Sequence, residues 1–131
     1  MNKSSKIEYI AYRLNLAKET LDAAKSLADD KHWNSVINRL YYSCFYAISA
    51  LLYKHDINPK SHSGIKRQFG LHFVKTGLID QSVAEIFIDL FDYRQAGDYA
   101  DFVDFDREKT LPLIPRVDTL IMKIEELLKE N

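Results

Sequence analysis

The sequence predicts an all-α protein, an up-and-down bundle of four to five helices that forms one domain over residues 1–131. Apolar residues recur at the three- and four-residue intervals of a helix along most of the chain, and no alternating run bounded by turn residues indicates a strand. Because 47% of the 131 residues are hydrophobic, one domain of this length can bury a single core. No linker rich in Pro, Ser or Gly divides the chain.

Five segments carry the helix pattern. We expect helices near residues 4–29, 31–55, 62–76, 80–96 and 107–129. Because little of its surface is suited to water, the second segment should lie at the centre of the bundle, or should pack one face against the bundle and another against a partner subunit. One stripe along it is formed by Trp33, Ile37, Leu40, Tyr41, Cys44, Ile48, Leu51 and Leu52, and a neighbouring stripe by Tyr42, Tyr46 and Tyr53.

The ends of the later helices carry recognisable signals. Ser61 or Ser63 is expected to cap the third helix, and Gly77 is expected to close it. Asp80 and Asp106 are expected to cap the next two helices.

The last helix contains a local contradiction. Pro112 and Pro115 fall inside its apolar pattern, and both cannot lie in the first turn of a helix that begins at Arg107. We therefore expect a kink or a restart of the helix at this point.

Composition restricts the setting of the protein. Eighteen basic and nineteen acidic residues give a net charge of −1, so a strongly basic nucleic-acid-binding domain is not indicated and any such binding must be local. The single cysteine, Cys44, cannot form an intramolecular disulfide and is typical of a reducing compartment. The weakly polar run 40–53 is too short for a membrane span, and the N-terminus has no secretion segment. We predict a cytoplasmic protein without a membrane contact.

Charge is unevenly distributed along the chain. Residues 54–75 are mainly basic, whereas residues 80–108 carry nine acidic residues against two arginines, Arg94 and Arg107. These two segments are expected to lie alongside each other, within one chain or across a dimer. Alternatively, the basic segment faces phosphate, which would make binding strongly dependent on salt.

Arg94 is the charged residue in the least expected position. In a helix over 80–96 it continues the apolar stripe that includes Phe87. A guanidinium cannot lose its proton, so in such a place it must be paired, hydrogen-bonded or held at the edge of a cleft. Asp98 is the nearest partner in sequence, and Tyr99 follows it. The pattern predicts either a structural Arg–Asp pair or a binding site.

The motifs of common enzyme classes are absent from the sequence. The chain has no phosphate-binding P-loop, no dinucleotide-binding glycine turn, no HExxH motif and no nucleophile elbow. Four histidines and one cysteine do not have the spacing of a zinc site, and the acidic stretch 98–106 lacks the glycine of a calcium loop. We predict neither a metal site nor a bound cofactor. His62 and His72 share the apolar side of the third helix, where we expect both to be half-buried.

Three longer motifs occur in order along the chain. They are NSVINRLYYSCFYA at 34–47, SHSGIKRQFGLHFVKTG at 61–77 and RQAGDYADF at 94–102. Together they resemble the HEPN superfamily, and more narrowly its small stand-alone bacterial and archaeal members, over about residues 10–128. The resemblance implies an up-and-down helical bundle, usually a homodimer, with the arginine-containing helix ends near a shared cleft. It also implies association with minimal nucleotidyltransferases and with RNA-targeting toxin–antitoxin or defence systems.

The resemblance does not extend cleanly to catalysis. Active HEPN ribonucleases carry a histidine after four to six residues that follow the arginine, and the corresponding positions here are Tyr99, Ala100 and Asp101. A tyrosine, whose ordinary pKa is about 10, is a poor general base at neutral pH. In related toxin–antitoxin pairs the partner nucleotidylates a tyrosine after this arginine motif, which would give Tyr99 a different use.

The favoured hypothesis is a non-catalytic or weakly active HEPN protein that binds a nucleotide, RNA or a nucleotidyltransferase partner. Arg94 would contact phosphate, and Tyr42 or Tyr99 would stack or form a hydrogen bond. The cleft of a homodimer is expected to contain Arg94, Asp98 and Tyr99, with Arg39, Tyr42 and His62 as neighbours.

Two alternatives belong to other classes of protein. The first is a ribonuclease toxin that uses His62 or His72 in place of the missing histidine. The second is a structural interaction protein, in which Arg94 and Asp98 lock the bundle.

Overall fold

The computed structural model describes residues 2–99 and 104–130, and for residues 96–99 it describes the backbone alone. Within these ranges the regular elements are all helical, so the predicted all-α fold is confirmed. The elements are α1 (Lys3–Asp29), α2 (Trp33–Lys54), α3 (His62–Phe69), a π-helical turn (Gly70–Val74), α4 (Gln81–Tyr99), α5 (Arg107–Thr110) and α6 (Leu113–Lys129).

Helix α2 is the central element of the bundle. It packs against α1, α4 and α6, and α3 contacts its middle through His62, which lies against Tyr41 and Phe45. Half of its 22 residues are buried, which leaves little surface for water and confirms the predicted central position.

Cys44 is fully buried in α2, and burial raises the pKa of its thiol well above the usual range. This thiol is a packing group rather than a nucleophile.

The predicted helix ends are largely found. The Ser61 hydroxyl accepts a hydrogen bond from the Gly64 amide at 2.9 Å and caps α3. Gly77 follows the third helical segment with a φ of +81°, a backbone conformation that favours glycine. The Asp106 carboxylate accepts a hydrogen bond from the Lys109 amide at 2.9 Å and caps α5.

The expected restart near the two prolines is confirmed. Helix α5 ends at Thr110, and α6 begins at Leu113, directly after Pro112. Pro115 lies in the first turn of α6. Backbone amides there have no carbonyl partner within the helix, so a proline removes no helical hydrogen bond.

The third helix differs from the single regular helix that the sequence predicts. After Phe69 the chain widens into the π-helical turn, in which the Lys75 amide donates to the Gly70 carbonyl at 2.8 Å. The wider turn rotates the helix face, so that Phe73 instead of His72 enters the core. The prediction of a half-buried His72 is therefore wrong, because its side chain is exposed and bonds Gln68. The same prediction for His62 is confirmed.

The basic and acidic segments meet, but not through ion pairs between the described residues. Lys66 of α3 places its ammonium 4.6 Å from the ring centroid of Phe91 on α4. The ion pairs of the described residues lie elsewhere, for example between Arg116 and Asp89 at 3.1 Å. Pairing of the two segments across a dimer stays a prediction. No helix in the described ranges is long and apolar enough to cross a membrane.

Candidate functional site

A row of aromatic side chains on α2 forms the base of the candidate site. Tyr41, Tyr42, Phe45 and Tyr46 follow the helix at intervals of one, three and four residues, so their rings lie close together on adjoining faces. Tyr41 is fully buried, and the other three are half-buried. Tyr41 also stacks on Phe87 of α4, with 5.6 Å between the ring centroids. The row thus connects the core of the bundle with its surface.

Arg94 lies over this aromatic row. Its guanidinium carbon is 5.1 Å from the ring centroid of Tyr41 and 5.4 Å from that of Tyr42. One guanidinium N–H donates to the Tyr42 hydroxyl at 3.2 Å. The side chain is half-buried, as expected of a charged residue that continues an apolar stripe. The rings and the hydroxyl fix the direction of the cation, at a separation typical of cation–π contacts.

His62 joins the same group from the start of α3. Its Nδ1 lies 2.7 Å from the Tyr41 hydroxyl, and its ring stacks on Phe45 with 4.5 Å between the centroids. We call Tyr41, Tyr42, His62 and Arg94 the Arg94 cluster. In this cluster the buried Tyr41 hydroxyl has a hydrogen-bond partner in His62. The His62 ring is held by this hydrogen bond and by its contact with Phe45.

The surroundings of Tyr41 and His62 favour the neutral forms of both side chains. Burial raises the pKa of Tyr41 far above the ordinary value, although the positive charge of Arg94 opposes this shift. Burial, and then the charge of Arg94, lower the pKa of His62. At neutral pH the cluster therefore contains the permanent cation of Arg94, a neutral His62 imidazole and the neutral phenol of Tyr41. Such a group can contact a phosphate, stack on a base, or accept a proton at His62.

The structure brings together three of the six site residues predicted from the sequence, namely Arg94, Tyr42 and His62. Arg39 is exposed on α2, and it donates a hydrogen bond to Asn38 at 2.8 Å instead of joining the cluster. Its contact with a ligand stays a prediction.

Asp98 and Tyr99 belong to the last turn of α4. Their side chains lie outside the described residues. The predicted Arg94–Asp98 pair and the predicted use of Tyr99 therefore stay predictions.

Sequence reasoning assigned Tyr41 to the core and missed its place in the site. It is the residue that connects His62 with Arg94, through its hydroxyl and its ring respectively. The available signal was chemical, since a tyrosine on a buried stripe needs a partner for its hydroxyl group. His62, placed on the apolar side of a neighbouring helix, was a suitable candidate.

The described residues contain no group of three His, Cys, Asp or Glu side chains that could hold a metal ion. His72, the second histidine considered as a substitute catalytic base, is exposed and hydrogen-bonded to Gln68. His72 is one of the groups that lower the pKa of His55. Of the two histidines, only His62 belongs to the Arg94 cluster.

Comparison of the chain with known proteins gives matches to one family. The HEPN domain model matches residues 10–127 of the chain. A UPF0332 protein from Thermotoga maritima is 35% identical over 130 residues, which cover 99% of this chain and 97% of the relative. Two proteins from Methanocaldococcus jannaschii, named as candidate toxins, are 31% and 32% identical. These matches cover 86% and 94% of this chain, and 76% and 91% of the two relatives.

Proposed function

Since the chain belongs to the HEPN family, we propose that it is a toxin-like protein that binds RNA or a nucleotide through the Arg94 cluster. In this proposal the protein acts as a cytoplasmic homodimer, and a nucleotidyltransferase is its partner. The names of the two Methanocaldococcus jannaschii relatives support the toxin-like part.

The observation that carries the proposal is the position of the Arg94 guanidinium over two tyrosine rings. A guanidinium offers five N–H donors in a planar fork that suits phosphate oxygens. The ring of Tyr42, which is half-buried and beside this cation, suits a base of single-stranded RNA. A fixed cation next to an accessible ring is the combination that a nucleotide unit requires.

A second candidate function, RNA cleavage, is favoured by the state of His62. Its lowered pKa keeps the imidazole neutral at pH 7, and a neutral imidazole can accept a proton from an RNA 2′-hydroxyl. His62 lies on a different helix from Arg94, whereas active HEPN ribonucleases carry both residues in one motif. Loss of cleavage in His62→Gln, with RNA affinity retained, would support this candidate over simple binding.

Titration of a fluorescently labelled single-stranded RNA tests the binding proposal. Arg94→Gln should weaken the affinity at least tenfold, which corresponds to about 1.4 kcal/mol, the scale of one lost charged contact. Arg107→Gln is the matched control, because it removes the same charge from an exposed position on α5. Thermal unfolding of both variants verifies that they are folded. Equal affinities of the two variants would contradict the proposal.

Association with other chains requires separate measurements. Sedimentation at micromolar concentration should give a dimer, and a monomer would exclude a shared cleft. Expression with the neighbouring reading frame should copurify a nucleotidyltransferase, and intact mass should then show whether a nucleotide has been added at Tyr99. Failure to copurify one would leave RNA binding as the part of the proposal still supported.

A further inference from the structure

An open groove lies between α4 on one side and α3 with its π-helical turn on the other. Its volume is about 540 Å³, within the range of roughly 300–1,000 Å³ that is usual for ligand pockets. Its lining combines apolar with basic side chains, including Leu71, Ile88, Phe91, Lys66, Arg67 and Lys75. We call it the α3–α4 groove. It is large enough to hold several side chains of another molecule.

The apolar part of the groove is aliphatic where it meets solvent. Leu71 is 48% exposed and Ile88 is 38% exposed. Phe91 is buried, and the Lys66 ammonium lies 4.6 Å from the centroid of its ring. Exposed aliphatic side chains gain from contact with apolar side chains of a partner. They offer little to a nucleic acid, whose bases stack on open aromatic faces. The groove therefore suits protein side chains better than bases.

Basic side chains surround this apolar area. Arg67 and Lys75 are exposed, and Lys66 is half-buried. None of the three takes part in an ion pair between described residues. The part of the groove lining that the structure describes contains no acidic residue. Cations around an apolar area favour a partner that carries carboxylates around apolar anchors.

Gly70, which also lines the groove, is an independent indication that another chain comes close. Its φ of −59° and ψ of −45° are ordinary for a helix, so the backbone conformation does not require glycine. A Cβ atom at this position would meet nothing within 4 Å. Because glycine destabilises a helix relative to alanine, packing within the chain does not explain this residue. A partner that passes close to the helix backbone does explain it.

A second copy of the chain fits the groove less well. In a two-fold symmetric contact the same surface lies on both sides. Lys66, Arg67 and Lys75 of one chain would then face the same three cations of the other. Like charges on both sides of a contact disfavour association. The charge of the groove thus favours a different protein as its occupant.

From these features we infer that the α3–α4 groove is a docking site for a short acidic segment of a partner protein, with aliphatic anchor residues. The anchors contact Leu71, Ile88 and the backbone at Gly70, and the carboxylates pair with Arg67 and Lys75. An amphipathic helix meets this requirement, since its apolar residues share one face and acidic residues flank them. The inference depends neither on RNA or nucleotide binding at the Arg94 cluster nor on a nucleotidyltransferase partner.

Selection from a random peptide library displayed on phage, with the whole protein as bait, tests the inference. The selected peptides should combine aliphatic residues with aspartate or glutamate. The peptide that binds most tightly, labelled with fluorescein, is then the probe for titration of the variants. Selection of peptides without this composition, or of no peptide at all, would overturn the inference.

Reversal of two charges examines the rim of the groove. The double variant Arg67→Glu with Lys75→Glu should weaken peptide binding by about tenfold or more. The double variant Lys25→Glu with Arg107→Glu is the matched control, because it replaces the same residue types at exposed positions of α1 and α5. Equal losses in the two double variants would mean that only net charge matters, which would overturn the groove as the site.

Two leucines of equal exposure examine the apolar part. Leu71→Ser should weaken peptide binding several-fold, whereas Leu78→Ser should not. Leu78 is 49% exposed but does not line this groove, so both substitutions remove a similar apolar surface. Thermal unfolding verifies that both variants are folded. Equal affinities of the two variants would contradict apolar anchoring in the groove.

Gly70→Ala should have opposite effects on stability and binding. Without peptide this variant should melt at a higher temperature, because alanine suits a helix and its methyl group meets no neighbour. It should bind the peptide several-fold more weakly, since the methyl group narrows the groove. A loss of affinity in a stabilised protein cannot arise from unfolding. Unchanged affinity would overturn the proposed close contact at this turn.

Two further measurements examine other occupants. If the parent protein sediments as a dimer that dissociates in Leu71→Ser, the groove belongs to a second copy of the chain. If RNA affinity is lost in Arg67→Glu with Lys75→Glu but retained in Leu71→Ser, and no acidic peptide is selected, the groove serves phosphate. Either result would overturn the inference, which predicts that Leu71→Ser changes neither sedimentation nor RNA affinity.

Discussion

Arg13 and Arg94 are held in similar ways but in different surroundings. Each donates a hydrogen bond to a tyrosine hydroxyl, and each lies over two tyrosine rings. Both rings under Arg13 are half-buried, whereas one ring under Arg94 is Tyr41, which is fully buried in the core. The two groups of residues are neighbours, because the ring centroid of Tyr46, under Arg13, lies 6.0 Å from that of Tyr42, under Arg94. The position of the Arg94 cation therefore depends on core packing, whereas Arg13 lies on partly exposed rings.

The largest effect should come from the buried ring. Tyr41→Ala should lower the free energy of unfolding by about 3–5 kcal/mol, the usual cost of deleting a buried aromatic ring. Tyr46→Ala should cost clearly less, because its ring is only half-buried. Urea unfolding of both variants measures the difference. Equal losses would show that the two arginine sites are anchored in the same way.

The arginines themselves should differ by a smaller amount. Arg94→Ala should cost about 2 kcal/mol, since it removes a charged hydrogen bond and uncovers a ring of the core. Arg13→Ala should cost about 1 kcal/mol, because the rings beneath it are already partly exposed. The same urea measurement applies. A larger loss for Arg13 would reverse the proposed distinction.

The sequence predicted the parts of this arrangement that depend on pattern. The apolar stripe of α2 identified the centre of the bundle, and the stripe of α4 singled out Arg94 as a misplaced charge. The two prolines predicted the restart between α5 and α6. Each of these features depends on residues that are close together in the chain, so the sequence pattern predicts it.

Other parts depend on contacts between distant residues and could not be predicted. Arg13 lies on α1, a largely exposed helix where an arginine is ordinary, and its partner Tyr46 is 33 residues away. The π-helical turn rotates the residues that follow it about the helix axis, and the sequence pattern does not indicate this turn. For that reason His72 was predicted on the half-buried side of the helix, whereas it is exposed. The difference between the two arginines thus depends on the packing of α1, α2 and α4, which the sequence pattern does not give.

The smallest expected effect on stability comes from the titration of His62, which lies beside Arg94 in the cluster. The pKa of its imidazole is lowered in the folded protein, first by burial and then by Arg94. The folded state therefore favours the neutral ring, so the contribution of His62 to stability is complete above its unfolded pKa of about 6.5. This contribution is lost as the pH falls from about 6.5 through the lower folded value.

Nuclear magnetic resonance of the His62 ring protons checks this electrostatic assignment. Arg94→Gln should raise the pKa of His62 towards its ordinary value, because one of the two causes of the shift is removed. Arg13→Gln should leave that pKa unchanged, since Arg13 is not among its causes. The pKa of His55, which burial and Lys54 lower, serves as an internal reference. A response of His62 to Arg13 instead of Arg94 would contradict the assignment.

The most direct test of the Arg94 cluster as a ligand site is to add short single-stranded RNA while observing the ring signals of Tyr42 and His62. The account predicts that both sets of signals shift in proportion to the RNA bound, and that they no longer shift in Arg94→Gln. RNA that binds with full affinity while these signals stay in place would show that the ligand site lies elsewhere on the molecule.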